Sequence, residues 1–115
     1  SMTVSSGDLV IGATTGGNVF VDNITSANSA NISNRVTLNT AGSVTFESNA
    51  SVFSSILDIN ADGDITFNAN VTFGGTGSNV IADVDTSGAG DFMWRTGLLL
   101  RMFLETLVSQ PMTSI

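Results

Sequence analysis

The chain has 115 residues, with 10 acidic and 3 basic side chains, no histidine and no cysteine, and a net charge of −7. With no lysine among the basic residues, that balance argues against binding to nucleic acid or to an anionic membrane surface, and the missing His and Cys remove the usual zinc sites, thiol nucleophiles and imidazole bases. The hydrophobic share of 42% predicts one folded domain rather than a disordered chain. No apolar run is long enough for a membrane-spanning helix, because Leu98 to Leu104 is interrupted by Arg101. The absence of cysteine leaves the redox compartment open and is compatible with secretion. Ser1-Met2 has the form of a tag-cleavage remnant, so a leader could have preceded this start.

In chain order, Val4-Ser5-Ser6-Gly7-Asp8 reads as a turn and Leu9-Val10-Ile11 as a short strand. Thr14-Thr15-Gly16-Gly17 is a second turn, and Asn18-Val19-Phe20-Val21 a second strand. The polar stretch Thr25 to Asn34 reads as a bulging loop. Then one pattern is written twice, 21 residues apart: Val36-Thr37-Leu38-Asn39 matches Leu57-Asp58-Ile59-Asn60, and Gly42-Ser43-Val44-Thr45-Phe46 matches Gly63-Asp64-Ile65-Thr66-Phe67. Alternation with period two sends Val44 and Phe46, and Ile65 and Phe67, to one face, and the polar residues between them to the other. Thr40-Ala41-Gly42 and Ala61-Asp62-Gly63 are the turns, with Gly there for positive φ. Val52, and later Val71 with Phe73, suggest a third strand per copy. Gly74-Gly75-Thr76-Gly77 is a flexible corner, Val80 to Val84 opens a further copy, and the alternation fades after Phe92.

A repeat near 20 residues predicts coils stacked so that apolar rows are buried between copies. The expected fold is all-β: a short right-handed parallel β-solenoid (β-helix) over residues 1–92. From Met93 the composition changes to Leu-, Met- and Phe-rich sequence of good helix formers. Residues 93–115 are therefore expected to form an apolar C-terminal helix, with a polar stripe at Gly97, Arg101, Glu105 and Ser109 and an end at Pro111. That helix reads as a cap on the stack, a self-association element, or sequence foreign to the repeat. Since short turns do not reveal strand direction, an antiparallel sandwich stays open as the alternative fold.

The stretch from Leu57 to Ala69, with Gly42 to Phe46, resembles repeats of filamentous-haemagglutinin-like and autotransporter-type bacterial surface proteins, over about residues 4 to 92. The resemblance implies a right-handed parallel β-helix, a piece of a longer exported stalk, secreted or at the cell surface. The function expected on that basis is a structural, non-enzymatic, adhesin-like repeat module. It would self-associate through the solenoid ends or the C-terminal helix, with a host-surface or carbohydrate ligand as a further expectation.

Five sets of residues are candidates for chemistry. Asp58, Asn60, Asp62 and Asp64 follow the D-x-N-x-D-G-x-I order of a calcium loop, which places oxygens at alternate positions around a glycine turn. Ala69 stands where such a loop needs a bidentate Glu. These residues make calcium the candidate cofactor, and a calcium-stabilised exported module the alternative function; the competing reading is Asp and Asn bonding their own turns. Asp83-Val84-Asp85-Thr86-Ser87-Gly88 has a similar order. Outward Thr37, Thr45, Thr66 and Thr72 could form an ice- or carbohydrate-binding ladder, against the plainer reading of a solvated β face. Asn23, Asn31, Asn49 and Asn70 each begin a glycosylation sequon. Asp62 and Asp64 could pair for acid–base work, but a groove walled by loops is not legible, and the chain is read as no enzyme.

Overall fold

A computed structural model describes residues 7–94, 100–101, 104–108 and 112–114. Among the described residues the chain is all-β apart from one short helix, and its sheets are parallel. The strands of the two clean copies are β3 (Arg35–Thr40), β4 (Val44–Phe46) and β5 (Ser51–Phe53), then β6 (Ile56–Ala61), β7 (Ile65–Phe67) and β8 (Val71–Phe73). Before them run β1 (Asp8–Ala13), β2 (Val19–Val21) and α1 (Ser26–Ser29). After them come β9 (Ser78–Ala82), β10 (Phe92–Trp94), β11 (Leu100–Arg101), β12 (Leu104–Val108) and β13 (Met112–Ser114). The chain visits three sheets in rotation, ordered β1-β3-β6-β9-β12, β2-β4-β7-β10-β13 and β5-β8-β11. Every strand pair among the described residues is parallel, which overturns the antiparallel sandwich.

The register follows the sequence repeat. Val36 lies beside Leu57 and Leu38 beside Ile59; Val44 lies beside Ile65 and Phe46 beside Phe67. These residues are all buried, while Thr37, Thr45 and Thr66 between them are half-buried on the outer face. A parallel pair needs a long return path, and the remaining two strands of each copy supply it. Each copy lacks the apolar surface for a core of its own, so burial comes from the copy above and below. The third sheet departs from the repeat by one residue: Ser51 pairs with Val71 and Phe53 with Phe73. Val52 therefore stands beside Thr72 on the half-buried outer row instead of beside Phe73, where an offset of 21 would place it.

The stretch read as a bulging loop contains α1. Its N-cap is Thr25, whose hydroxyl accepts from the Asn28 N–H at 3.1 Å, while the Asn28 side-chain oxygen accepts from the Thr25 N–H at 3.4 Å. This is a capping box with Asn in the place usual for Glu or Gln, which hid it in the sequence. The helix closes the free edge of β5. Ser29 donates its hydroxyl to the Val52 carbonyl at 2.8 Å and accepts from the Ser54 N–H at 3.0 Å, doing for that edge what a neighbouring strand would do.

Among the described residues no C-terminal helix is seen. Met93 and Trp94 belong to β10, and Leu100–Arg101 and Leu104–Val108 are strands that extend the three sheets. The remaining parts of the expected helix, 95–99 and 102–103, and its expected end at 109–111, lie outside the described residues, as do Ser1 to Ser6. Helix propensity differs among these residue types by only tenths of a kcal/mol. The edges of β7, β8 and β9 instead present rows of unpaired N–H and C=O groups, and pairing with them outweighs that local preference.

The turn glycines are explained by space, not by φ. Neither Gly42 nor Gly63 has a positive φ; among the described residues the glycines that do are Gly7, Gly12, Gly77 and Gly88. The Gly63 N–H donates to the Gly42 carbonyl at 2.8 Å, and a Cβ on Gly63 would lie 2.9 Å from that carbonyl oxygen. Successive corners sit so close that a side chain does not fit between them.

Candidate functional site

The four residues read as a calcium loop are spread along β6 and the turn after it. Asp58 is 7% exposed; its Oδ1 accepts from the Asn79 N–H at 2.9 Å and its Oδ2 pairs with the Arg35 guanidinium. Asn60 donates from Nδ2 to Asn39 Oδ1 at 3.0 Å, a rung between two copies. Asp62 is half-buried in the turn and Asp64 accepts from the Asp91 N–H at 2.9 Å. Three of the four are thus committed to bonds that join one copy to the next. Among the described residues, no three His, Cys, Asp or Glu side chains gather where one cation could be held.

Asp64 belongs to a column that the sequence hid. Asn18 Oδ1 accepts from the Ser43 N–H at 2.9 Å, Ser43 Oγ from the Asp64 N–H at 3.0 Å, and Asp64 Oδ1 from the Asp91 N–H at 2.9 Å. Each side chain holds the backbone one copy on, at the corner that opens the second sheet. Asn, Ser and Asp share a short acceptor, and that shared chemistry was the available signal. Thr40 does similar work inside: it is buried, donates to the Gly17 carbonyl and accepts from the Gly42 N–H at 2.9 Å.

The second Asp-rich stretch forms the turn between β9 and β10. Asp83 is 4% exposed and sits at φ 56°, a left-handed conformation that Asp tolerates better than most residues. Its carboxylate accepts from the Gly88 N–H at 2.8 Å and the Ser87 hydroxyl at 3.0 Å. Burial by itself would raise its pKa, but these bonds prevail and hold it below the ordinary aspartate value of 3.8. A carboxyl depressed in the folded state adds stability that is complete above pH 3.8 and is lost as the pH falls below it, through the folded value. Melting midpoints of Asp83→Asn and the parent, followed from neutral pH down to pH 2 (~2, below the carboxylate range), should differ at neutral pH and converge in acid. A constant gap across that range would reject the assignment.

The threonines do not make a long ladder. Thr45 and Thr66 are neighbours, but Thr37 stands beside Asp58 and Thr72 beside Val52. Of the sequon residues, Asn23 lies at φ 55°, and Asn49 donates from Nδ2 to Asp22 Oδ2 at 2.9 Å.

The feature not foreseen is the apolar face at the β1–β2 end. Leu9 and Ile11 continue the buried row above Val36 and Leu38, and Val19 continues the row above Val44. Two adjoining hollows of ≈ 140 and ≈ 210 Å³ open there and share Ile11, Ile24 and Phe53 as walls. On the outer rows Val10 is 61% and Phe20 66% exposed. The signal was present: Val10 and Phe20 occupy the positions that Thr37 and Thr45 hold one copy later. No family model, curated protein or solved structure matches the chain.

Proposed function

We propose that this chain is a short right-handed parallel β-solenoid acting as a structural, non-enzymatic repeat module of a secreted or cell-surface, adhesin-like protein. The observation that carries the reading is the 21-residue register, which sets Val36, Leu38, Val44 and Phe46 of one copy beside Leu57, Ile59, Ile65 and Phe67 of the next. A chain built this way transmits shape along one axis and can be lengthened by whole copies. The polar residues at its corners support the same role, since Asn18, Ser43 and Asp64 serve to join copies. The resemblance to filamentous-haemagglutinin-like repeats supplies the surface setting.

The test is to insert a second copy of residues 36–56 directly after Ile56. In a quasi-one-dimensional stack this adds one coil and its interface, so the longer protein should fold and unfold at higher denaturant. Loss of the β signal in circular dichroism, or a lower midpoint, would count against the solenoid and against the spacer role with it.

A further inference from the structure

We infer that the β1–β2 end is the docking face for the β12–β13 end of a second copy, joining chains head to tail. This rests on the solenoid reading above and goes beyond it by naming the partner and the register. Among the described residues, β1 and β2 each have a strand neighbour on one side only, whereas α1 closes the corresponding edge of the third sheet. Open parallel edges beside exposed apolar side chains are templates for further strands. Here the edges flank the hollows walled by Ile11, Ile24 and Phe53 and carry Val10 and Phe20.

Two observations select the occupant. A single extended peptide can pair with one edge; covering both needs two parallel strands of the same polarity, one for each sheet. β12 and β13 are the last strands of those same two sheets, and every pairing that links them to β1 and β2 is parallel. A copy displaced along the stack therefore brings both edges at once. Charge disfavours the opposite polarity: residues 7–34 contain Asp8 and Asp22 with no basic residue. A head-to-head contact would set the two acidic ends against each other. Because the contact is heterologous and each copy is displaced along the stack, it predicts linear chains of copies.

The register gives the test. Through β3, β6 and β9, Val10 falls in the column of Thr37, Asp58, Asn79 and Thr106. Within one chain Val10 and Thr106 are four strand spacings apart, roughly 19 Å at ~4.8 Å each, well beyond the ~7 Å that a disulfide can bridge. Between stacked copies the two positions become neighbours. The natural chain has no cysteine, so Val10→Cys/Thr106→Cys reports this contact alone. Mild oxidation should give a reducible ladder of multimers, whereas Val10→Cys alone should form no disulfide-linked species. Phe20→Lys, added to the double variant, should abolish the ladder and shift sedimentation to the monomer with the melting midpoint unchanged. A disulfide dimer of Val10→Cys alone, or a double variant that stays monomeric up to its solubility limit, overturns the proposal. Thr45→Cys/Thr66→Cys separates the two levels. If it closes within monomers while the 10–106 pair does not link copies, the docking fails and the solenoid stands. If neither forms, the solenoid reading fails and takes the docking with it.

Discussion

Phe46→Ala should remove about 3–5 kcal/mol of stability, the cost of emptying a buried phenylalanine site. Phe46 is 1% exposed, stacks on Phe67 with ring centroids 5.0 Å apart and 14° between planes, and meets Phe53 edge-on at 6.4 Å. Its row runs Val21, Phe46, Phe67, Trp94, so the loss falls between copies and interrupts the continuity of the core. A domain of this size has only ~5–15 kcal/mol in hand, so the variant should be partly unfolded in mild denaturant. Phe20→Ala supplies the contrast: the same deletion at a 66% exposed site should change stability by no more than ~0.5 kcal/mol. Urea midpoints at constant slope measure both. Equal losses at the two positions would mean that the apolar rows are not what holds the copies together.

Gly63→Val should cost about 1–3 kcal/mol through overpacking, whereas Gly17→Val should be nearly silent. Neither glycine has a positive φ, so backbone strain does not separate them. The difference is the space a Cβ meets: 2.9 Å from the Gly42 carbonyl oxygen and 2.5 Å from Ser43 Oγ at Gly63, but nothing within 4 Å at Gly17. Forcing Gly63 away from Gly42 also stretches the 2.8 Å bond between its N–H and the Gly42 carbonyl. If the two variants melt together, close approach of successive corners is not the reason for glycine there.

Much of the strand order was legible because it depends on nearest neighbours in a repeat. Identical spacing of Val44-Thr45-Phe46 and Ile65-Thr66-Phe67 puts identical faces side by side, and the parallel register follows those pairs. The one-residue slip at the third sheet was not legible, since corner length, set by 47–50 in one copy and 68–70 in the next, shifts Val52 onto the outer row. The candidate calcium residues were visible as a pattern, but what each carboxylate touches depends on residues far off in sequence: Arg35 and Asn79 for Asp58, and Asp91 for Asp64. The exposed apolar end was written at Val10 and Phe20, yet it had meaning only once they were known to share rows with Thr37 and Thr45.

By itself the sequence determined which side chains face inward and how far apart the copies stand, because alternation and spacing are local properties of an extended chain. Among the described residues, the tertiary structure decided three things: that the strands run parallel, that Leu100–Arg101 and Leu104–Val108 pair as strands and not as a helix, and that α1 closes one edge while β1 and β2 have no strand beyond them. Each of these turns on backbone groups finding partners across 20 or more residues (roughly the copy length of such repeats), and no local preference of a few tenths of a kcal/mol can outweigh that demand.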